Sequence, residues 1–559
     1  MHNFLSRVSR PARYLGQEYN SIHKEWEKAE VRFGVLFPDI YEIGMSHQGL
    51  QILYHILNDT ANFLAERCFC PDTDAERILR ESQIPLRSLE SARPLSEFDV
   101  LGFTLPYELC YSNILTILDL AVIPFFSRKR NEQHPLIIAG GACALNPEPV
   151  ADFFDAILLG DGEDAILEIG GVIANGVKKD SSRQQLLTDL SAIKGVYIPA
   201  HFQPLITDHS RFQKVQHRSG EQRSISRRIL PNLNKIDHLK HPIVPNARIV
   251  HDRLGIEVAR GCTRGCRFCQ AGMTYRPVRE RSTEAIIELA DSGLKNSGFE
   301  ELALLSLSTG DYSCLEQALP ALMNRFAGEC VSVAMPSMRV GTLTPAIMEQ
   351  VRRVRKTGFT LAPEAGSDRL RLVINKGISE DDLLDTCRQA FDLGWLKIKL
   401  YFMIGLPTET DEDINAIAQL VTKILKLEQD KKGSNRRQIT VSVGTFVPKP
   451  HTPFQWDRQI GRDESQRIIE RLRQILPQRR CSFRYHSPKV SYLEGVFSRG
   501  DRRLGELIVA AWRAGARLDG WDEHFNLEIW QQAAESLQLD LDQYLQPREP
   551  GAMLAWSHL

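Results

Sequence analysis

Apolar residues gather in short, nearly unbroken runs along the first third of the chain. Such runs cover 31–37, 98–103, 135–139 and 156–159. Each is followed by a loop or turn and then by residues of helical pattern, as at 50–57. Runs that are apolar on both faces and alternate with helices predict parallel strands buried between helical layers. Residues 1–177 are therefore expected to form one doubly wound, Rossmann-like α/β domain. The pattern weakens over 178–245, which is expected to be a connector.

A second series of strands is expected over 254–259, 301–306, 331–335, 358–362, 396–403 and 439–446. Helices lie between them, for example over 283–294 and 379–393. Six strand–helix units in succession suit a partial parallel barrel, a (β/α)6 relative of the TIM barrel, over 246–475. In such folds ligands sit at the carboxyl ends of the strands. The remainder, 476–559, reads as helical, with Trp512, Trp521 and Trp530 packing its helices.

At 559 residues the chain is too long for a single core. A formal net charge of −1 argues against a general nucleic-acid coat and leaves room for a local basic patch. No apolar run is long enough to span a bilayer and the start lacks a signal-peptide core, so a soluble cytoplasmic protein is expected. Eleven scattered cysteines in so large a chain do not make a disulfide scaffold, and clustered ones point to metal.

One such cluster is present. Cys262, Cys266 and Cys269 follow directly on the first strand of the second series. Eight residues stretch to at most roughly 26 Å, enough to wrap a cluster a few ångströms across. Gly261, Gly265 and Gly272 permit tight turns, and Arg264 and Arg267 favour thiolate over thiol. Structural zinc would want a fourth ligand, and no second cysteine pair lies at a suitable spacing. Three thiolates on a [4Fe-4S] cluster leave one iron open. An open iron can chelate the amino and carboxylate groups of S-adenosylmethionine (SAM), and an electron from the cluster can then cleave the sulfonium to a 5′-deoxyadenosyl radical.

Cys-x3-Cys-x2-Cys with the aromatic Phe268 before its third cysteine resembles the radical SAM superfamily, in which that aromatic contacts the SAM adenine. Later strand ends agree. Ser308, Thr309, Gly310 and Asp311 follow the second strand, where the family binds the SAM amino group. Glu364 and Ser367 resemble its Glu-x-Gly-Ser segment, and Gly405 opens a Gly-Leu-Pro-x-Glu-Thr segment. Ser337 and Arg339, after the third strand, are candidates for the SAM carboxylate or ribose. Residues 447–454 resemble the closing strand of methylthiotransferase-like members. More narrowly, the chain resembles uncharacterised radical SAM proteins with a cobalamin-binding-like amino-terminal domain, from Pro11 almost to the carboxyl terminus and including the segment Asp519 to Phe525. That resemblance implies a flavodoxin or ferredoxin as electron donor, and a companion protein of unknown function.

Cobalamin-binding α/β domains carry Asp-x-His-x-x-Gly, then Ser-x-Leu, then Gly-Gly. Here Asp39 and Gly44 fit the first pattern, but Tyr41 replaces the histidine that ligates cobalt. Thr104 and Leu105 loosely match the second, and Gly140 and Gly141 match the third. Either the domain binds cobalamin without a lower histidine and relays a methyl group, or it keeps only the fold; the first is the expectation. His47 either approaches that cofactor or caps a helix. Arg276, Arg279 and Arg281 either clamp an anionic group or pair with nearby acids. The expected activity is cobalamin-dependent methylation. The alternatives are cobalamin-independent modification of RNA or protein, and a non-catalytic cobalamin or redox sensor.

Overall fold

The computed structural model describes residues 2–207, 212–221, 223–236, 238–342, 344–354, 359–427 and 436–559. Strands β1 (Val31–Phe37), β2 (Phe63–Phe69), β3 (Val100–Thr104), β4 (Leu136–Gly140) and β5 (Ala156–Leu158) form a parallel sheet in the order β2-β1-β3-β4-β5. Val31 pairs with Phe63, Phe33 with Val100, and Ile138 with Ala156. Their residues are buried on both faces, which is why the sequence shows runs rather than alternation. The strand order reverses between β1 and β3, the place where a doubly wound sheet opens a crevice. A short sixth strand, β6 (Val196–Tyr197), pairs antiparallel with β5. It comes from the stretch expected to be a connector, so the sheet reaches further along the chain than its apolar runs suggested.

The second series forms β7 (Leu254–Glu257), β8 (Glu301–Leu305) and β9 (Ser332–Ala334) in one arc. A second arc holds β10 (Phe359–Glu364), β11 (Lys397–Ile404), β12 (Gln438–Thr445) and β13 (Cys481–Tyr485). All pairings within the arcs are parallel and follow chain order. Gly358, expected to begin β10, lies outside the described residues. Strand β13 extends the expected six. It escaped the hydrophobic pattern because none of its five residues is fully buried: Cys481 and Phe483 are half-buried against the core while Ser482, Arg484 and Tyr485 are exposed. Along β11, Ile398, Leu400, Phe402 and Ile404 are buried and the alternate residues are half-buried or exposed, a two-residue period.

The carboxyl-terminal helices Pro488–Ser498, Leu504–Arg513 and Leu527–Ser536 do not form a unit of their own. They share one core with the helix Tyr111–Leu120 of the first sheet, where Ile114, Leu118, Leu493, Ile508 and Trp530 meet. Asp519 stitches this seam: its carboxylate accepts from Ser112 Oγ at 2.5 Å and from Trp530 Nε1 at 2.9 Å. Trp512 Nε1 donates to Thr116 Oγ1 at 2.9 Å. The three tryptophans thus pack, as expected, but against the first domain. Among the described residues no helix is long and apolar enough to cross a membrane.

Trp530 is fully buried, so Trp530→Ala should lower stability by about 3–5 kcal/mol. Urea unfolding followed by circular dichroism checks this, and an unchanged midpoint would mean that the seam carries no core energy.

Candidate active site

The cysteine loop leaves β7 through Gly261, whose φ of +93° and position suit glycine alone. A Cβ there would lie 2.5 Å from the Tyr275 carbonyl oxygen and 2.9 Å from that of Pro277. Cys262, Cys266 and Cys269 are half-buried free thiols. Cys262 Sγ accepts from the Arg264 amide at 3.5 Å, and Cys269 Sγ accepts from the Gly272 amide at 3.3 Å. Among the described residues no three His, Cys, Asp or Glu side chains converge as ligands of a single metal ion do. A four-iron cluster does not ask for that convergence, because each thiolate takes a separate iron and the sulfurs stay apart. Three free thiols on one turning loop fit that donor set.

A second loop clamps the first. The Arg267 amide donates to Ile374 O at 2.9 Å, the Arg267 guanidinium to Val373 O at 2.6 Å, and Asn375 Nδ2 to Gly265 O at 2.9 Å. Neither Asn375 nor its neighbour Lys376 was legible as a site residue. Burial pushes the Cys266 thiol up, and the cations opposing this are Lys376 and Arg339. Arg264 and Arg267, expected to serve the thiolates, are instead turned to Asp311 and to the Val373 carbonyl.

The other predicted SAM residues divide into two groups. Asp311 pairs with Arg264 and accepts from Ser308 Oγ at 2.7 Å. Glu364, held at a φ of +68°, accepts from Lys376 Nζ at 3.1 Å, and burial pushes its carboxyl up. Lys376 Nζ also lies 5.7 Å from the centre of the Phe268 ring, and Arg339 donates to the Lys376 and Gly377 carbonyls. Phe268, Asp311, Arg339 and Glu364 thus gather around the cysteine loop. The rest hold the scaffold. Thr309 is buried and its amide donates to Ser337 O at 2.9 Å. Gly310 sits against Thr342, where a Cβ would clash. Ser367 caps the helix Asp368–Val373, and the Gly405 amide donates to Glu409 at 2.6 Å.

Above the first sheet lies a cavity of about 460 Å³. Its walls come from β1, the carboxyl ends of β3, β4 and β5, and the loop 160–163; its far side is Glu257–Gly261, the stem of the cysteine loop, with Tyr275. Thr104, Gly140 and Gly141 line it, as does His47, whose Nδ1 accepts from the Leu50 amide at 3.2 Å and so caps a helix. Asp39, Tyr41, Gly44 and Leu105 do not line it. Tyr41 is fully buried, donating to Glu18 at 2.9 Å and accepting from the Asn246 amide at 3.0 Å. Asp39 holds Tyr107 and accepts from Trp521 Nε1 at 2.9 Å. Gly44 is packed against the Phe69 ring, and the Leu105 amide donates to Gly140 O at 2.7 Å.

An ion cluster closes the floor between cavity and loop. Arg260 contacts Asp161 at 3.0 Å, Glu163 at 2.6 Å and Glu257 at 2.8 Å. Arg279 pairs with the same Asp161. Arg281 donates to the carbonyls of Glu257 and Ile236 at 3.1 and 2.9 Å. Of the three arginines weighed as anion clamps, Arg279 pairs with an acid, Arg281 holds backbone, and Arg276 alone is exposed.

The model of the N-terminal domain of radical SAM proteins matches residues 49–199, and the radical SAM superfamily model matches 256–421. The uncharacterised protein MJ0966 of Methanocaldococcus jannaschii is 27% identical over 85% of this chain and 90% of its own length. A tRNA-2-methylthio-N(6)-dimethylallyladenosine synthase of an Acidovorax species is 25% identical over 40% of this chain, and the match spans about half of that enzyme (48%). Among solved structures, the radical SAM methyltransferase TsrM of Kitasatospora setae, with cobalamin and a [4Fe-4S] cluster bound, superposes with a TM-score of 0.54 at 12% identity, over 91% of this chain and all of that one. OxsB, a cobalamin-dependent SAM radical enzyme, superposes with a TM-score of 0.50 at 12% identity, over 94% of this chain and 82% of its own. Such identities speak for the fold. With one matched model running from inside β7 through β11, cysteine loop included, and the other spanning β2 through β6, the chain belongs to the radical SAM superfamily.

Proposed function

We propose that this radical SAM enzyme is a cobalamin-dependent methyltransferase. The observation that carries the reading is the shared cavity, walled on one side by the carboxyl ends of the first sheet and on the other by the stem of the cysteine loop. Gly102 and Gly140 line it, and a Cβ at either would make only ordinary contacts, 3.7 Å from Ile138 and 3.6 Å from Leu158. Their missing side chains therefore remain as open space, which suits close approach of a bulky ligand. At about 460 Å³ the cavity is of ligand-site size.

In this reading Cys262, Cys266 and Cys269 each bind one iron. When bound, the reduced cluster supplies the electron that cleaves SAM, and cobalamin supplies a carrier for the methyl group. The chain's part is to bind, orient and shield. Phe268 offers an apolar face to the adenine. Arg339 and Lys376 set positive charge beside the thiolates and the SAM carboxylate. Glu364 and Asp311, held by Lys376 and Arg264, would offer carboxyl groups to the cationic parts of SAM. Position 41 offers no imidazole, and the Tyr41 hydroxyl is already committed to Glu18 and Asn246.

A second reading is modification of RNA or protein without cobalamin, favoured by the barrel's likeness to methylthiotransferases. Cobalamin titration separates the two. Protein reconstituted anaerobically should bind cobalamin with a changed visible spectrum. Gly102→Leu and Gly140→Leu should each weaken that binding about tenfold or more while the cluster absorbance stays. Failure of the wild-type protein to bind cobalamin, together with salt-sensitive RNA binding, would select the second reading.

A separate measurement tests the cluster ligands. With reductant, the reconstituted protein should consume SAM, and replacing Cys262, Cys266 or Cys269 by Ala should abolish both turnover and the iron-dependent absorbance. A full cluster in any of the three variants would overturn the ligand assignment.

A further inference from the structure

The clamp that holds the cysteine loop also presents a face to solvent. Leu372 is 73% exposed. It lies on the helix Asp368–Val373, directly before the carbonyls of Val373 and Ile374 that receive the Arg267 side chain and amide. Arg369, one helical turn earlier on the same side, keeps 49% of its side chain exposed while pairing with Asp413. Arg267 and Arg276 are exposed, and the Arg276 guanidinium is 3.5 Å from where a Gly265 Cβ would stand. The exposed acid on the same helix, Asp368, is paired with the buried Arg371. An apolar centre among arginines is the composition of a protein–protein contact, in which arginine is enriched and the middle is apolar.

We propose that this face, centred on Leu372 and rimmed by Arg267, Arg276 and Arg369, is the docking surface for an acidic one-electron carrier protein. It rests on the reading of Cys262, Cys266 and Cys269 as cluster ligands. Three observations argue for it. The face is bonded to the cysteine loop itself, so a carrier seated there stands one loop's thickness from the cluster. Three arginines stand against one exposed acid, Asp368, in a chain whose net charge is −1; a local positive field steers a negative partner toward it. Its exposed large apolar residue is aliphatic, whereas a single-stranded RNA surface is built on aromatic platforms. The transfer balances simply: the carrier's flavin hydroquinone loses one electron, the cluster gains it, and no bond is made or broken.

The test compares two reductants on the full, reconstituted protein. Purified flavodoxin hydroquinone and dithionite are each mixed with it anaerobically, and cluster bleaching is followed by stopped flow. Leu372→Glu is expected to slow reduction by flavodoxin about tenfold while leaving reduction by dithionite unchanged. Arg267→Gln, measured the same way, is expected to slow the flavodoxin reaction and flatten its dependence on ionic strength. A wild-type flavodoxin rate in Leu372→Glu would overturn the docking assignment. So would equal slowing with dithionite, which would place the effect on the cluster. Loss of RNA binding in either variant with the flavodoxin rate intact would assign the face to RNA instead. Failure of the cluster reading shows separately, as absence of dithionite-driven SAM consumption in the wild-type protein.

Discussion

Arg260 stands where the two halves of the molecule meet, and the site depends on it. Its guanidinium reaches Asp161 and Glu163 of the first domain and Glu257 of β7, five residues before Cys262. Asp161 and Glu163 are buried and Glu257 is half-buried, and Arg279 supplies the second cation. Buried ions are tolerated only in pairs; removing one partner leaves the others uncompensated at a cost of about 3–5 kcal/mol. The cavity wall and the cluster stem are therefore fixed to each other by charge. Two domains joined by an apolar surface alone could slide; joined by matched ions, they have one register.

A second constraint acts from the far end of the chain. Asp519 and Trp530 close on Ser112, and Trp521 closes on Asp39. The carboxyl-terminal helices thereby complete the core of the first domain, after the chain has passed through the whole barrel. Lys449, which follows β12, adds a third tie: its ammonium meets Glu108 of the first domain and Glu494 of the carboxyl-terminal helices, both at 2.7 Å. The barrel is held between two parts of one unit.

Much of this was legible in order along the chain. The runs at 31–37 and 135–139 are strands because a strand buried on both faces must be apolar throughout. The spacing of Cys262, Cys266 and Cys269 on a glycine-rich turn is a local property, and it carried the chemistry. The clamp at 373–375 was not legible. It works through the carbonyls of Val373 and Ile374, and backbone atoms leave no mark on residue identity. The motif at Asp39, Tyr41 and Gly44 does not reach the cavity, for a related reason. Its residues follow a strand end, as ligand residues would, but their side chains turn to Trp521, Glu18 and the Phe69 ring.

The sequence by itself determined the classes of the two domains, the alternation of strands and helices, and the donor set of the cysteine loop. Those depend on neighbours along the chain, through periodicity and through spacing too short to be rearranged. Only the tertiary structure decided which polar residues face the cysteine loop and which hold the scaffold. It gave Lys376 to Glu364, Arg264 to Asp311, and Arg260 to three acids at once. The physical reason is that a charge is neutralised by whatever lies nearest in space, and spatial proximity across 100 residues is set by packing, not by spacing.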